Sequence, residues 1–224
     1  PFAVSIAILA TKKAPKIDLD RWLFAAELSL DGTLRPIKGA VSFALAAMAE
    51  DFTGVIVAEE NAVELQALMD LPAKNLKGIQ ILGSKNLEEV LQWVFGERVG
   101  DLPQLMIRRH RPSQKNVFTP NYDDMVLSKE MQQVALVSTV GRHSLCLYGP
   151  PGTGKSMFAQ RLPSIMPPME PKDLIVALKI HSSYMSRLNE NLLSGQAPFR
   201  SPHHQTSSQA LLGVPENPGE LSLA

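Results

Sequence analysis

The chain has 224 residues, enough for one large or two modest domains, and its 45% hydrophobic content is ample for packed cores of that size. Basic and acidic residues balance at 22 each, with ten and thirteen in residues 1–100 and twelve and nine in 101–224; this asymmetry permits a nucleic-acid partner without requiring one. One cysteine, Cys146, excludes an intrachain disulfide and, lying in an apolar run, is expected to pack in a core; no run reaches the roughly 18–20 apolar residues of a membrane span, so a soluble, cytoplasmic chain is expected.

From Phe2 to Ala10 every residue but Ser5 is apolar, which suits a buried element and is read as a helix. The run begins at Pro1 with no charged region before it, as a segment of a longer protein would. Trp22–Leu30 reads as a strand, and the Asp31-Gly32 pair as a hairpin turn leading to Leu34 and Ile37. A helix is expected over Gly39–Glu50, then strand Gly54–Ala58, helix Asn61–Leu68, strand Gly78–Leu82 and helix Asn86–Phe95. Asn61 and Asn86 have the side chains of N-caps, and Glu88 and Glu89 suit the positive end of the last helix. Such βα alternation implies parallel strands covered by helices.

Residues 98–122 carry three prolines and a basic cluster of Arg108, Arg109, His110, Arg111 and Lys115, and mark a boundary. Arg108, Arg109 and Arg111 are candidates for contact with a nucleic-acid phosphate backbone, against the ordinary alternative of a solvated linker.

Beyond the linker, helix Leu127–Thr139 leads to an apolar strand, Ser144–Tyr148, and then to GPPGTGKS and a further helix. Gly149, Gly154, Lys155 and Ser156 satisfy G-x-x-x-x-G-K-[ST], the Walker A pattern, around Pro150, Pro151, Gly152 and Thr153. Glycines let the backbone wind tightly enough to aim successive N–H groups at phosphate oxygens, and the following helix adds its dipole. These residues, with Met157, are the expected ATP contacts; Lys155 is expected to reach the β- and γ-phosphates and Ser156 to occupy a coordination position of Mg²⁺. Hydrolysis also needs an acid on a neighbouring strand to hold Mg²⁺. Of the downstream acids Glu170, Asp173, Glu190, Glu216 and Glu220, none ends a short hydrophobic strand, so that acid is expected to be missing.

GPPGTGKSMFAQRL, then PFRSPHH at Pro198–His204 and PGELSLA at Pro218–Ala224, resembles the competence protein ComM (YifB) group of magnesium-chelatase-like AAA+ ATPases, over nearly the whole chain. The match is imperfect at Ser128 and Lys129, where the family usually has glycine and glutamine close to the adenine. Upstream, AELSLDGTLRPIKGAVSFALAA at Ala26–Ala47 departs from the family pattern in Ala26 and is similar to the Lon-protease-like domain of that group. Active Lon enzymes carry a lysine base at the position Val41 takes here, so the resemblance implies a relic without proteolysis; Lys38, three positions earlier, is a poor substitute.

His203 and His204 invite a metal reading, but adjacent histidines do not easily point at one ion and no Cys, Asp or Glu lies close in sequence. With Arg200 they are candidates for partner contact or intersubunit packing, because in the resembling clade this stretch belongs to elements that approach a central pore. The fold expected is α/β: a Lon-protease-like (ribosomal S5-like) domain over 1–100, truncated at its N-terminus, a linker over 101–122, and the start of a P-loop AAA+ domain over 123–224 that stops before the Walker B strand. The resemblance implies ATP and Mg²⁺ as cofactors, a homo-hexamer, and translocation on branched DNA in recombination during natural transformation. The alternatives are a magnesium-chelatase-type ATPase remodelling a protein partner, and a nucleotide-binding module without turnover.

Overall fold

A computed structural model describes residues 1–69, 79–96, 120–185, 188–215 and 217–224. Its centre is a parallel sheet of three strands, β1 (Trp22–Ala25), β4 (Gly54–Ala58) and β5 (Gln80–Ser84), in the order β1-β4-β5. Trp22 pairs with Gly54 and Ala25 with Val57, and Gly54 pairs with Gln80 and Ala58 with Ser84. All five residues of β4 are buried, as a central parallel strand covered on both faces must be. Strand periodicity divides them: Val55 and Val57 face one core, Ile56 and Ala58 the other. Gly54 is required where it stands, because a Cβ there would lie 2.5 Å from the Gln80 carbonyl oxygen and 2.6 Å from the Trp22 ring.

On the Ile56 face pack α1 (Phe2–Ala10) and α4 (Leu87–Phe95). Edge-on ring pairs fill this side, Phe2 with Phe24 at 5.8 Å between centroids and Trp22 with Trp93 at 4.7 Å. The Asn86 side chain caps α4 by accepting from the Glu89 N–H at 2.9 Å, as its sequence predicts. The expected strand over 22–30 is instead two pieces: β1 enters the parallel sheet, and β2 (Glu27–Leu28) pairs antiparallel with β3 (Leu34–Arg35) in a small hairpin. The Asp31 carboxylate closes its turn by accepting from the N–H and hydroxyl of Thr33, which holds the Asp31 pKa below the usual carboxylate value.

On the Val55 face pack α2 (Ala40–Ala49) and α3 (Glu59–Met69), joined by α7 (Pro171–Tyr184) and α8 (Glu190–Leu193) from far along the chain. Leu174, Leu178, Leu188 and Leu192 thus share one core with Val41, Ala44 and Leu65. Asn61 is not the N-cap of α3, which starts two residues earlier at Glu59; it is fully buried and pairs with both backbone groups of Ile37, accepting from N at 2.8 Å and donating to O at 3.2 Å. Its amide also donates to Glu64, whose buried carboxylate accepts from the Leu188 N–H.

Gly39 precedes α2 and has no side chain with which to cap it. Ser182, in the last turn of α7, supplies the missing acceptors: its hydroxyl accepts from Val41 N at 3.3 Å and its carbonyl from Gly39 N at 2.6 Å. One residue therefore satisfies orphan donors at the start of α2 and an orphan carbonyl at the end of α7. Val41 is fully buried beneath this contact, and Lys38 is exposed.

Two further expectations fail. Ser144–Tyr148 has no regular secondary structure and pairs with no strand among the described residues, and Leu145 and Tyr148 are exposed at 36% and 101%. Apolar composition can favour a strand, but only a neighbouring ladder makes one. Cys146, in that segment, is exposed rather than packed. The expected strand at 78–82 runs two residues later, as β5, with Gly78 outside the described residues. No helix among the described residues is long and apolar enough to cross a membrane.

Replacing Ser182 with alanine removes the hydroxyl that accepts from the buried Val41 N–H, so the urea midpoint, followed by Trp22 and Trp93 fluorescence, should fall by the equivalent of about 1 kcal/mol. Ser183→Ala, at an exposed neighbour, should leave it within experimental error.

Candidate nucleotide site

The glycine-rich loop lies between the irregular segment ending at Tyr148 and α6 (Lys155–Arg161), which follows Gly154. Gly154 takes φ +83, a left-handed turn that side chains rarely adopt, and Gly152 takes φ +82. Pro151, Gly152, Thr153, Ser156 and Met157 are exposed, so the loop opens to solvent on one side.

Lys155 turns back over the loop. Its Nζ donates to the Gly149 carbonyl at 2.8 Å, to the Pro150 carbonyl at 2.6 Å and to the Thr153 hydroxyl at 3.4 Å. Thr153 in turn donates to the Pro150 carbonyl at 3.0 Å. The ammonium thus sits at the mouth of the loop on neutral dipoles, which a polyphosphate anion can replace with stronger charge-assisted bonds. The exposed Ser156 hydroxyl stands one residue beyond it. This donor set fits a polyphosphate with a hard cation: an ammonium for phosphate oxygens and a hydroxyl for the metal.

A second strip of chain is fastened to α6. A short 3-10 turn, Tyr122–Asp124, is capped by Asn121, and Ser128 caps α5 (Lys129–Val140) by accepting from Met131 N. The Tyr122 hydroxyl donates to the Phe158 carbonyl at 2.8 Å and the two rings meet edge-on at 5.5 Å. Arg161, its side chain 7% exposed, donates from Nε and Nη2 to the two Asp124 oxygens at 2.7 and 2.6 Å, and from Nη1 to the Met157 carbonyl at 2.9 Å. The guanidinium holds the Asp124 pKa below the usual carboxylate value. Sequence reasoning passed over this pair, whose members lie 37 residues apart with no local pattern to join them.

The other expected site residues fall elsewhere. Arg200 is engaged rather than free: its Nε and Nη2 donate to the two Glu220 oxygens, both at 2.6 Å. The exposed His203 and His204 rings lie 4.0 Å apart, and no group of three metal-ligating side chains occurs among the described residues. Arg108, Arg109 and Arg111 lie outside the described residues. Of the acids after the loop, Glu170 pairs with Lys172, Asp173 with Arg142 and Glu220 with Arg200; Glu190 begins α8, and Glu216 lies outside the described residues. A cleft of about 710 Å³ opens between α5, α7 and Phe199, lined mainly by apolar side chains such as Leu162, Met166, Val176 and Ile180. His181 borders it, buried, with Nε2 unpartnered among the described residues, and burial lowers its pKa.

Residues 122–224 match the sequence model of the family described as magnesium chelatase, subunit ChlI, and residues 1–61 match a second model, described as subunit ChlI of Mg-chelatase. The chain belongs to the magnesium-chelatase-like family. Among relatives, it is 30% identical over 227 residues to the competence protein ComM of Haemophilus influenzae, covering 100% of this chain and 42% of that protein. It is 30% identical to the uncharacterized protein YifB of Salmonella typhimurium over 230 residues, with the same coverages, and 29% identical to YifB of Escherichia coli over 228 residues, 99% and 41%. The chain thus spans about two fifths of the length of these relatives. The family membership that the GPPGTGKS and PFRSPHH segments imply is borne out, as is an α/β fold with a parallel sheet.

Proposed function

We propose that this chain is the nucleotide-binding portion of a ComM-like AAA+ ATPase, with residues 1–100 a Lon-like unit without a proteolytic base, 101–122 a linker and 123–224 the start of the motor. The observation that carries the reading is Lys155, held over the glycine loop by the Gly149 and Pro150 carbonyls with the Ser156 hydroxyl exposed beside it. ATP binding exchanges those carbonyls for phosphate oxygens at Nζ, and Ser156 offers its oxygen to Mg²⁺. The Ser156 hydroxyl would help hold a magnesium ion, whose charge would offset that of the phosphates. The remaining assigned contacts are Gly149 to Gly154 and Met157.

Turnover is a separate matter. Three of the acids after the loop are committed to ion pairs with Lys172, Arg142 and Arg200, which supports a chain that binds ATP without hydrolysing it. For the whole protein we propose an ATP-driven translocase on branched DNA, hexameric and acting in recombination during natural transformation, a reading supported by the likeness to a protein named for competence. The chelatase-type reading, in which ATP remodels a protein partner, has its own support: both matching family models bear that enzyme's name, so the front half does not separate the two.

Titration with a fluorescent ATP analogue and Mg²⁺ should show saturable binding that Lys155→Ala weakens by at least about a hundredfold, with no phosphate released from ATP in parallel samples. Binding indifferent to Lys155 would refute the site, and lysine-dependent release would refute the missing acid. Branched DNA should bind with an affinity that falls steeply with salt, the slope shrinking by roughly one per arginine when Arg108, Arg109 and Arg111 are replaced. Absent or salt-independent binding would favour the protein-remodelling alternative.

A further inference from the structure

We infer that His181 is an acid-sensitive catch: uncharged, it lets the C-terminal strip Pro218–Ala224 close against the last turn of α7, and on taking up a proton it releases that strip. His181 shares the last turn of α7 with Ser182 and is 7% exposed. The strip covers it. Asn217 and Pro218 pack against α7, Leu223 is 2% exposed, and the Leu223 backbone hydrogen-bonds the imidazole. The Leu223 N–H already donates to the Gly219 carbonyl, so the ring is the donor and the Leu223 carbonyl accepts. Nε2 has no partner among the described residues and is closed off from water. The ring N–H is therefore assigned to Nδ1, and Nε2 holds only a lone pair.

Protonation turns that lone pair into the N–H of a cation, with neither acceptor nor water to receive it, which costs more than the bare lone pair. The charged groups around the ring give no relief. On the strip side Arg200 opposes a proton, and both Glu220 oxygens are already taken by its guanidinium. Tyr184, on α7 itself, faces Arg200, and Lys179 is exposed. Across the cleft that His181 borders, Arg142 and Asp173 pair with one another beside His143. α2 brings only Gly39, Ala40 and Val41 to this end of α7, and α8 carries only the exposed Glu190. Burial accordingly holds the His181 pKa below the usual histidine value, against the pull of the Leu223 carbonyl.

The proton is accommodated once the ring reaches water, and the strip is the cover that can move. Behind the ring α7 is seated on α2, whereas the strip's bonds to Arg200, Ala210 and Leu211 can persist while Leu223 lifts away. An opened ring takes its proton at the ordinary pKa of about 6.5 and the closed ring does not. Closure is thus independent of pH above that value and weakens as pH falls through it.

Hydrogen–deuterium exchange of the 224-residue chain at pH 7.5 and 5.5, corrected for the intrinsic rate at each pH, reads the closure. Protection across 218–224 should fall several-fold at pH 5.5, about tenfold being the most that one proton supplies over the unit below 6.5, while 54–58 in the central sheet stays protected. His181→Asn sets an uncharged N–H donor near the place of Nδ1 and does not titrate, so its protection across 218–224 should be equal at the two pH values. It retains His143, His203 and His204, whose own titration is thereby controlled. His181→Phe, which lacks the donor, should protect 218–224 less than wild type at pH 7.5 and equally at both pH values. Unchanged wild-type protection, a loss that runs through 54–58 as well, or the same loss in His181→Asn overturns the inference, and the first two need no variant to fold.

Discussion

Ser182 is where the chain is tied together. It stands at the end of α7 and satisfies both the Gly39 and Val41 amides at the start of α2, so a helix that follows the phosphate loop closes an end left open in the sheet-bearing half. A helix start needs acceptors from somewhere, and Gly39 cannot supply them. Around this contact the apolar core extends without a break from Val55 and Val57 through α2 to Leu174 and Leu178. The second fastening, Glu64 to the Leu188 amide, is likewise buried, and a buried carboxylate deprived of its donors is costly. These contacts leave Val41 fully buried against a packed helix, where a lysine would be desolvated.

The local part of this design was legible in the sequence. The apolar run at 54–58 carried its strand in its composition, and the α4 cap by Asn86 and the turn at Asp31-Gly32 each depend on residues within a few positions of one another. The long-range part was not. Asn61 has the chemistry of an N-cap, but it pairs with Ile37, 24 residues away; Ser182 reaches Val41 across 141 residues and Glu64 reaches Leu188 across 124. The run Trp22–Leu30 alternates well enough for one strand, yet its ends join different sheets. Ser144–Tyr148 and Cys146 show the converse, apolar residues with no ladder beside them among the described residues. Composition reports what a segment can bury, and the fold decides whether anything is there to bury it.

The candidate site divides along the same line. Its phosphate end was readable from a contiguous motif, because each residue type in GPPGTGKS answers a local need of backbone curvature or charge. Its flank depends on Asp124 meeting Arg161, and Arg200, a candidate for partner contact or intersubunit packing, pairs with Glu220 within the chain. α6 carries the loop at one end and Arg161 at the other, and the chain continues from it into α7, which is seated on α2. On that mount Lys155 is held back over the glycine loop by the Gly149 and Pro150 carbonyls.

Hydrogen–deuterium exchange with and without saturating MgATP tests the nucleotide site most directly. Exchange should slow across residues 149–157, with α2 and α7 unchanged as the mount that already exists. Unaltered exchange across 149–157 would contradict it.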